Sequence, residues 1–284
     1  MNERNRKEEL MSLPDTELNH QIFENKKLPK APWVVLLHGI GGNSRIWYKQ
    51  IKHFKKCFNV MTIDLPGHYP NPSMEKWEEG YSFDLCTDMI VNIMDKHHIK
   101  KAHFIGISLG SVIIHHLIKR YQDRMYAAVL GGMILKFNTF SKILLSAGHM
   151  VKKYVPYMWL YQMFAHIMMP RNNHKVSRSM FIEEAKKMKQ EEFFRWFEMT
   201  KYVQTISENI QKYHVPRLYI SGSEDHLFIK FLKEHIPSDQ ASQLIELENC
   251  GHVCNLEKSA EFNEQAISFL QKYNEKEDTA SRGA

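Results

Sequence analysis

The sequence predicts an α/β protein built on a doubly wound, mostly parallel sheet, with a helical segment inserted into it. Three observations carry that prediction. Short runs that are apolar on both faces, as buried parallel strands are, alternate with stretches of helical spacing. Several of these runs end in glycine-rich or breaker-rich turns, and such sheets carry their functional residues at the carboxyl ends of strands. Between about Leu135 and Lys212 the alternation stops, and helical patterns rich in Met, Phe, Tyr and Trp replace it.

Taken in order, residues 1–13 are polar and charged and read as a frayed tail, with Met11 an alternative start to Met1. Glu17–Glu24 reads as an edge strand. Pro29 and Pro32 lead into the apolar strand Trp33–Leu37, which His38-Gly39-Ile40-Gly41-Gly42 follows at once. Asn43 or Ser44 caps a helix running to about Lys56. Phe58–Ile63 is the next strand, ending in the breaker-rich turn Asp64-Leu65-Pro66-Gly67-His68. A loop to about Ser82 gives way to a helix over Phe83–His97, with Leu85, Ile90, Ile93 and Met94 on one side.

The strand through Ala102–Ile107 then leads into a helix in which Val112, Ile113, His116 and Leu117 keep helical spacing to about Tyr121. Met125–Met133 is a buried strand. After the helical segment the sheet resumes with Arg217–Ser221, a helix to about His235 and the strand Gln243–Glu248. The last helix presents Phe262, Ala266, Phe269 and Leu270, and a polar tail follows. The domain reading is a core of residues 14–135 and 213–273, a helical cap over 136–212, and flexible tails at 1–13 and 274–284.

The chemistry concentrates in the turns. Gly106-x-Ser108-x-Gly110 has the spacing of a nucleophile elbow. A serine on a sharp strand-to-helix turn crowds its neighbours, so small residues are needed two places to either side. Its hydroxyl stands at a helix N-terminus, where backbone N–H groups favour negative charge. The glycines after Leu37 let backbone approach a ligand, with the N–H groups of Ile40 and Leu109 as donors to an oxyanion. His38 is read as an anchor of that loop. Asp225, in Gly222-Ser223-Glu224-Asp225-His226, and His252, after Asn249-Cys250-Gly251, supply an acid and a base on two further strand ends; Glu224 is a rival acid. The order Ser, Asp, His along the chain suits one known arrangement of nucleophile, acid and base.

At this point the chain resembles the α/β-hydrolase superfamily, in its lidded esterase-like branch. Leu37–Gly42 looks like the oxyanion motif of that family, Asp64–His68 like the turn after its next core strand, and Gly106–Gly110 like its elbow. Gly222-x-x-Asp225 and Gly251-His252 look like its acid and base loops; the resemblance covers roughly residues 17–273. Tyr69-Pro70 departs from the family's turn, and Ser111 stands where a second glycine is common. The resemblance implies Ser108 as nucleophile, His252 as base, Asp225 as its partner, and no cofactor. Relatives with an aspartate nucleophile are disfavoured by Ser108.

The expected substrate is a small-molecule carboxylic ester or thioester with an apolar acyl group, held under the cap. The residues expected near it are His38, Gly39, Ile107, Trp159, Met163 and His226, with Trp47 and Ile107 as packing neighbours. A lipase acting on lipid esters, a carbon–carbon bond hydrolase, an aminopeptidase, a lyase and a non-catalytic binding protein are the competing functions, since fold and triad do not fix substrate.

Composition bounds the rest. The 284 residues suit one large α/β domain with an insertion, and 43% hydrophobic with 25% charged content is ordinary. A net charge of +6, with Lys and Arg scattered among acids, does not point to nucleic acid. The four cysteines form no disulfide framework and the N-terminus lacks a signal-like apolar stretch, which together suggest the cytoplasm. Cys250-Gly-His-Val-Cys254 has no second ligand pair, so free thiols on a loop are expected and a metal is not. Val155–Met169 is too short to span a membrane, but flanking Lys152, Lys153 and Arg171 fit weak contact with a membrane surface.

Overall fold

A computed structural model describes residues 17–74 and 82–281. Seven strands form one sheet: β1 (His20–Phe23), β2 (Trp33–Leu37), β3 (Asn59–Ile63), β4 (Ala102–Ile107), β5 (Met125–Gly131), β6 (Arg217–Gly222) and β7 (Ser242–Leu247). Their spatial order is β1-β3-β2-β4-β5-β6-β7, and only the edge strand β1 runs antiparallel. This is the doubly wound, mostly parallel sheet that the alternating pattern predicts. The expected residues 1–13 lie outside the described part.

The apolar runs explain the sheet's burial. In β2, Val34 and Leu36 face one core while Val35 and Leu37 face the other, so both faces need cover. Helices α2 (Phe83–Lys96) and α3 (Leu109–Tyr121) cover one face. The other lies against α1 (Tyr48–Phe54) and the final helix, here α11 (Ser259–Ser281), through Phe54, Phe262 and Phe269. Burying a side chain such as Phe262 stabilises the fold by about 2–3 kcal/mol. Ser82 caps α2 by accepting from the Leu85 N–H at 3.0 Å. Asn43 caps a short 3₁₀ turn (Ser44–Trp47) that precedes α1, where the sequence suggested one continuous helix.

Between β5 and β6 the described residues are helical: α4 (Thr139–Val151), α5 (Tyr157–Met168), α6 (Lys175–Ala185), α7 (Gln190–Met199) and α8 (Val203–Ser207). Helix α9 (Ile229–His235) joins β6 to β7, and a single turn, α10 (Cys254–Glu257), precedes α11. Helix α11 runs on to Ser281, past the polar boundary at which the sequence reading ended it, because main-chain hydrogen bonding needs no apolar face to continue.

Polar contacts tie the helical segment to the strand ends. The Tyr161 hydroxyl donates to the Ile40 carbonyl at 2.9 Å, and the Trp196 indole N–H to the Pro66 carbonyl at 2.9 Å. Glu192, buried, accepts from the Ser73 hydroxyl and the Met74 N–H. Among the described residues no helix is long and apolar enough to cross a membrane.

Candidate active site

Ser108 sits between β4 and α3 with φ 52° and ψ −113°, a conformation non-glycine residues rarely adopt and that costs about 1–3 kcal/mol. The flanking glycines are dictated by contact. A Cβ at Gly106 would lie 2.4 Å from the Gly110 carbonyl carbon, and one at Gly110 would lie 2.2 Å from the Leu37 oxygen. The Ser108 N–H donates to the Gly131 carbonyl at 2.9 Å, and the Ser111 hydroxyl donates to the same oxygen at 2.9 Å. Ser111 thus stitches the turn to β5, a use for the hydroxyl that a glycine lacks.

Two further strand-end loops bring their side chains to this serine. His252, beyond β7, places Nε2 3.0 Å from Ser108 Oγ and Nδ1 2.9 Å from Asp225 Oδ2. All three residues are buried. An ionised carboxylate can only accept, so Nδ1–H donates to Asp225 and Nε2 turns its lone pair toward the Ser108 hydroxyl. Burial pushes His252 down from its ordinary value. The charge and hydrogen bond of Asp225, with Glu257 adding, outweigh burial, and the net shift is upward. Phe228 packs its ring 5.5 Å from the imidazole.

The acid and base loops are held together through main chain. Glu224 N–H donates to Cys250 O at 2.9 Å, and Ser223 N–H to Leu247 O at 2.9 Å. A Cβ at Gly222 would come within 2.0 Å of Cys250 O, so only glycine permits this approach. Glu224 itself turns away from His252. It accepts from Asn173 Nδ2 at 2.8 Å, from His174 Nε2 at 2.7 Å and from Arg171. The Asn173 bond, with those of His174 and Arg171, holds its carboxyl below the usual range against the opposing effect of burial.

The loop after β2 lies against the serine: a Cβ at Gly39 would sit 3.3 Å from Ser108 Cβ. His38 is fully buried behind it. Its Nε2 accepts from Leu65 N–H at 2.9 Å, which leaves Nδ1–H to donate to Gly39 O at 2.8 Å. Burial holds His38 below its ordinary value despite the nearby Asp64 charge. It anchors the loop and lines neither cleft described next.

A cleft of about 730 Å³, including its open mouth, runs from Ser108 between the strand ends and helices α4 to α7. Ile40, Leu145, Phe164, Met168, Phe181 and Phe197 are among its walls, which are almost wholly apolar. A second cleft of about 550 Å³ meets Ser108 and His252 from the other side, past Gly39, Ile107, Arg45 and Glu184. Phe181 lines both and stacks on Tyr161 at 4.8 Å. Trp47 packs in the core below, fully buried.

Besides His38, three expected lining residues fall elsewhere. Trp159 (72% exposed) and Met163 (38%) lie on the outer face of α5, while Tyr161, Phe164 and Met168, at helical spacing, face inward. His226 is exposed, and its successors Leu227 and Phe228 line the cleft instead. Gln162 and His166, both exposed, fall on the same side of α5 as Trp159 and Met163 and mark it as the outer face. Tyr161, Phe181 and Phe228 were the residues the sequence did not single out; the spacing of Tyr161, Phe164 and Met168 was the available signal.

The cysteines also correct the sequence reading. Cys254 opens α10 rather than lying on a loop, and Cys250 and Cys254 are both buried, which pushes both thiols well up. The described residues that converge as cation ligands are Glu17, His20 and His97, at the sheet edge and apart from Ser108.

A parallel sheet carrying serine, histidine and aspartate on three strand ends is the framework of a hydrolase. Comparison with known proteins agrees. A model of the alpha/beta hydrolase fold family matches residues 32–161. A putative carbamate hydrolase of Acinetobacter baylyi is 32% identical over 104 residues, 37% of this chain and 38% of that one. An uncharacterized carboxylesterase of Bacillus subtilis is 23% identical over 261 residues, 84% of this chain and 79% of that protein. A solved structure from a study of Nitrososphaera gargenis carboxylesterases superposes with a TM-score of 0.75 at 21% identity, covering 93% of this chain and 98% of that one. The chain has the α/β-hydrolase fold, and its residues 32–161 match the family of that name. In the first of these relatives the match spans less than two fifths of the protein's length.

Proposed function

We propose that this protein is a serine hydrolase that cleaves carboxylic esters with an apolar acyl group. The observation that carries the reading is the Ser108 hydroxyl, 3.0 Å from a histidine fixed by Asp225, at the meeting point of two clefts. His252 takes the Ser108 proton as Oγ attacks the acyl carbon, and Asp225 stabilises the imidazolium that results. The oxyanion that forms is held by the N–H groups of Ile40 and Leu109, the latter at the positive end of α3; one such donor is worth roughly 3 kcal/mol. His252 returns the proton to the leaving alcohol. It then activates a water that releases the acid from Ser108.

The large apolar cleft suits the acyl chain, and the smaller one, with Arg45 and Glu184 on its wall, suits the alcohol. Residues 136–212 act as a cap that encloses the acyl side. Four unpaired cysteines suit a reducing compartment, so we place the protein in the cytoplasm.

Hydrolysis of p-nitrophenyl esters of increasing acyl length tests the reading. Wild type is expected to turn over, with the best rates on medium or long acyl groups, and Ser108→Ala to lose the activity. A fluorophosphonate is expected to label wild type at Ser108. An unlabelled Ser108 together with no turnover on any ester would sink the proposal.

A further inference from the structure

Charge is not spread evenly along this chain. From Arg124 to Ile182 there is no Asp or Glu, against eight Lys and Arg, more than the +6 of the whole protein. Helix α4 lies within that stretch and is apolar on two sides. Its inner side, Ser141, Leu144 and Leu145, lines the acyl cleft. Its outer side carries Phe140, Ile143, Met150 and Val151 at helical spacing, followed by Tyr154. Ile143 is 64% exposed, Met150 75% and Tyr154 85%. Lys142 is exposed beside this stripe, and Lys152 and Lys153 follow its end. Of the twelve large apolar side chains exposed among the described residues, seven lie between Phe140 and Met163.

Isolated exposed apolar residues need no explanation, but a stripe on one helix does. Aromatic and aliphatic groups beside the exposed Lys142 and Lys153 match a bilayer interface: the apolar groups enter the acyl region and the cations meet lipid phosphates, while Lys152 is paired with Glu198. A second copy of the chain is a poorer occupant, because it would bring one net basic surface against another, with Glu198 already taken by Lys152 and His149. We infer that the outer face of α4 is a docking surface for an anionic phospholipid bilayer. Docking there leaves only α4 between the lipid and the cleft that its inner side lines.

Co-sedimentation of the full chain with vesicles tests this. Partition into phosphatidylcholine vesicles holding about 30% phosphatidylglycerol is expected to exceed that into pure phosphatidylcholine about tenfold, and to fall as salt is raised. Ile143→Glu combined with Met150→Glu is expected to cut partition about tenfold or more with an unchanged melting temperature, since both side chains are exposed. Ser108→Ala is expected to bind as wild type does, which separates docking from the reaction. Equal partition of wild type and the double variant overturns the inference, as does no binding to anionic vesicles. A dimer that the double variant abolishes, with vesicles left unbound, overturns it too and gives the face to a second copy.

Discussion

The sheet and the helical segment above it are held by different means. Every residue of β4 and β6 is buried, and the two cores on either side of the sheet are built from closely packed aliphatic and aromatic side chains. In the helical segment α4 buries only Ser141 and Gly148, and α5 only Leu160, Tyr161 and Ala165. The segment is held mainly through α7, whose Phe193, Trp196 and Phe197 join the core on one face of the sheet, and through the bonds from Tyr161 to Ile40, Trp196 to Pro66 and Met74 to Glu192. Packing fixes the sheet as a unit and α7 with it, whereas α4 and α5 leave most of their side chains outside that core. The geometry around Ser108 on the strand ends therefore inherits the rigidity of the sheet, and the cleft walls on α4 and α5 inherit the looser fastening of those helices.

The largest test of that contrast removes a polar group from the sheet side. Asp225→Asn is expected to lower ester turnover by about 10³–10⁴-fold with little change in melting temperature, because the amide favours the wrong imidazole tautomer. Loss of the folded state instead would show that the strand-end loops depend on that charge. Removing an anchor of the helical segment is expected to act the other way. Trp196→Ala empties a buried site and breaks its bond to Pro66, at a cost of about 3–5 kcal/mol, which calorimetry would read as a fall of roughly 10 °C.

A finer change separates fastening from packing. Tyr161→Phe keeps the stack on Phe181 but deletes the hydrogen bond to Ile40 O. A fall of about tenfold in kcat with KM nearly unchanged is expected if that bond orients the Ile40 loop toward the oxyanion; an unchanged kcat would confine Tyr161 to packing.

The smallest effect is in pH. His252 is held above its ordinary value, so its proton is retained to higher pH in the folded state. The stability this contributes is present below the unfolded value and is lost as pH rises through the folded one. Activity runs oppositely, since the base must be neutral. The acidic limb of kcat/KM is expected to have its midpoint above 6.5, and Asp225→Asn to move the midpoint of its residual activity down.

The same contrast explains what was legible in the sequence. Strands such as Val34–Leu37 and Phe104–Ile107 are apolar on both faces, and only a doubly covered sheet accommodates that pattern. The close approach of Gly106 and Gly110 to neighbouring backbone explains why the elbow was readable: the spacing is a steric requirement, visible wherever it occurs. Trp159, Met163 and His226 misled for the opposite reason. On α5 the large side chains of Trp159 and Met163 mask the polar phase that only Gln162 and His166 set, and a histidine one residue past an acid turns to whichever side the turn dictates. The cluster of Glu224 with Arg171, Asn173 and His174 joins residues from either side of β6, and spacing alone gives no hint of it.

The bare Cα of Gly222 has a mechanical consequence. Because the loops after β6 and β7 are joined main chain to main chain, Asp225 and His252 form one body, and Ser108 rides on another strand two places away in the sheet. The three-residue array then behaves as a linkage with a single joint, the gap between Nε2 and Oγ. Drift among the three side chains concentrates at that joint, while the placement of Asp225 against His252 stays set by the chain itself.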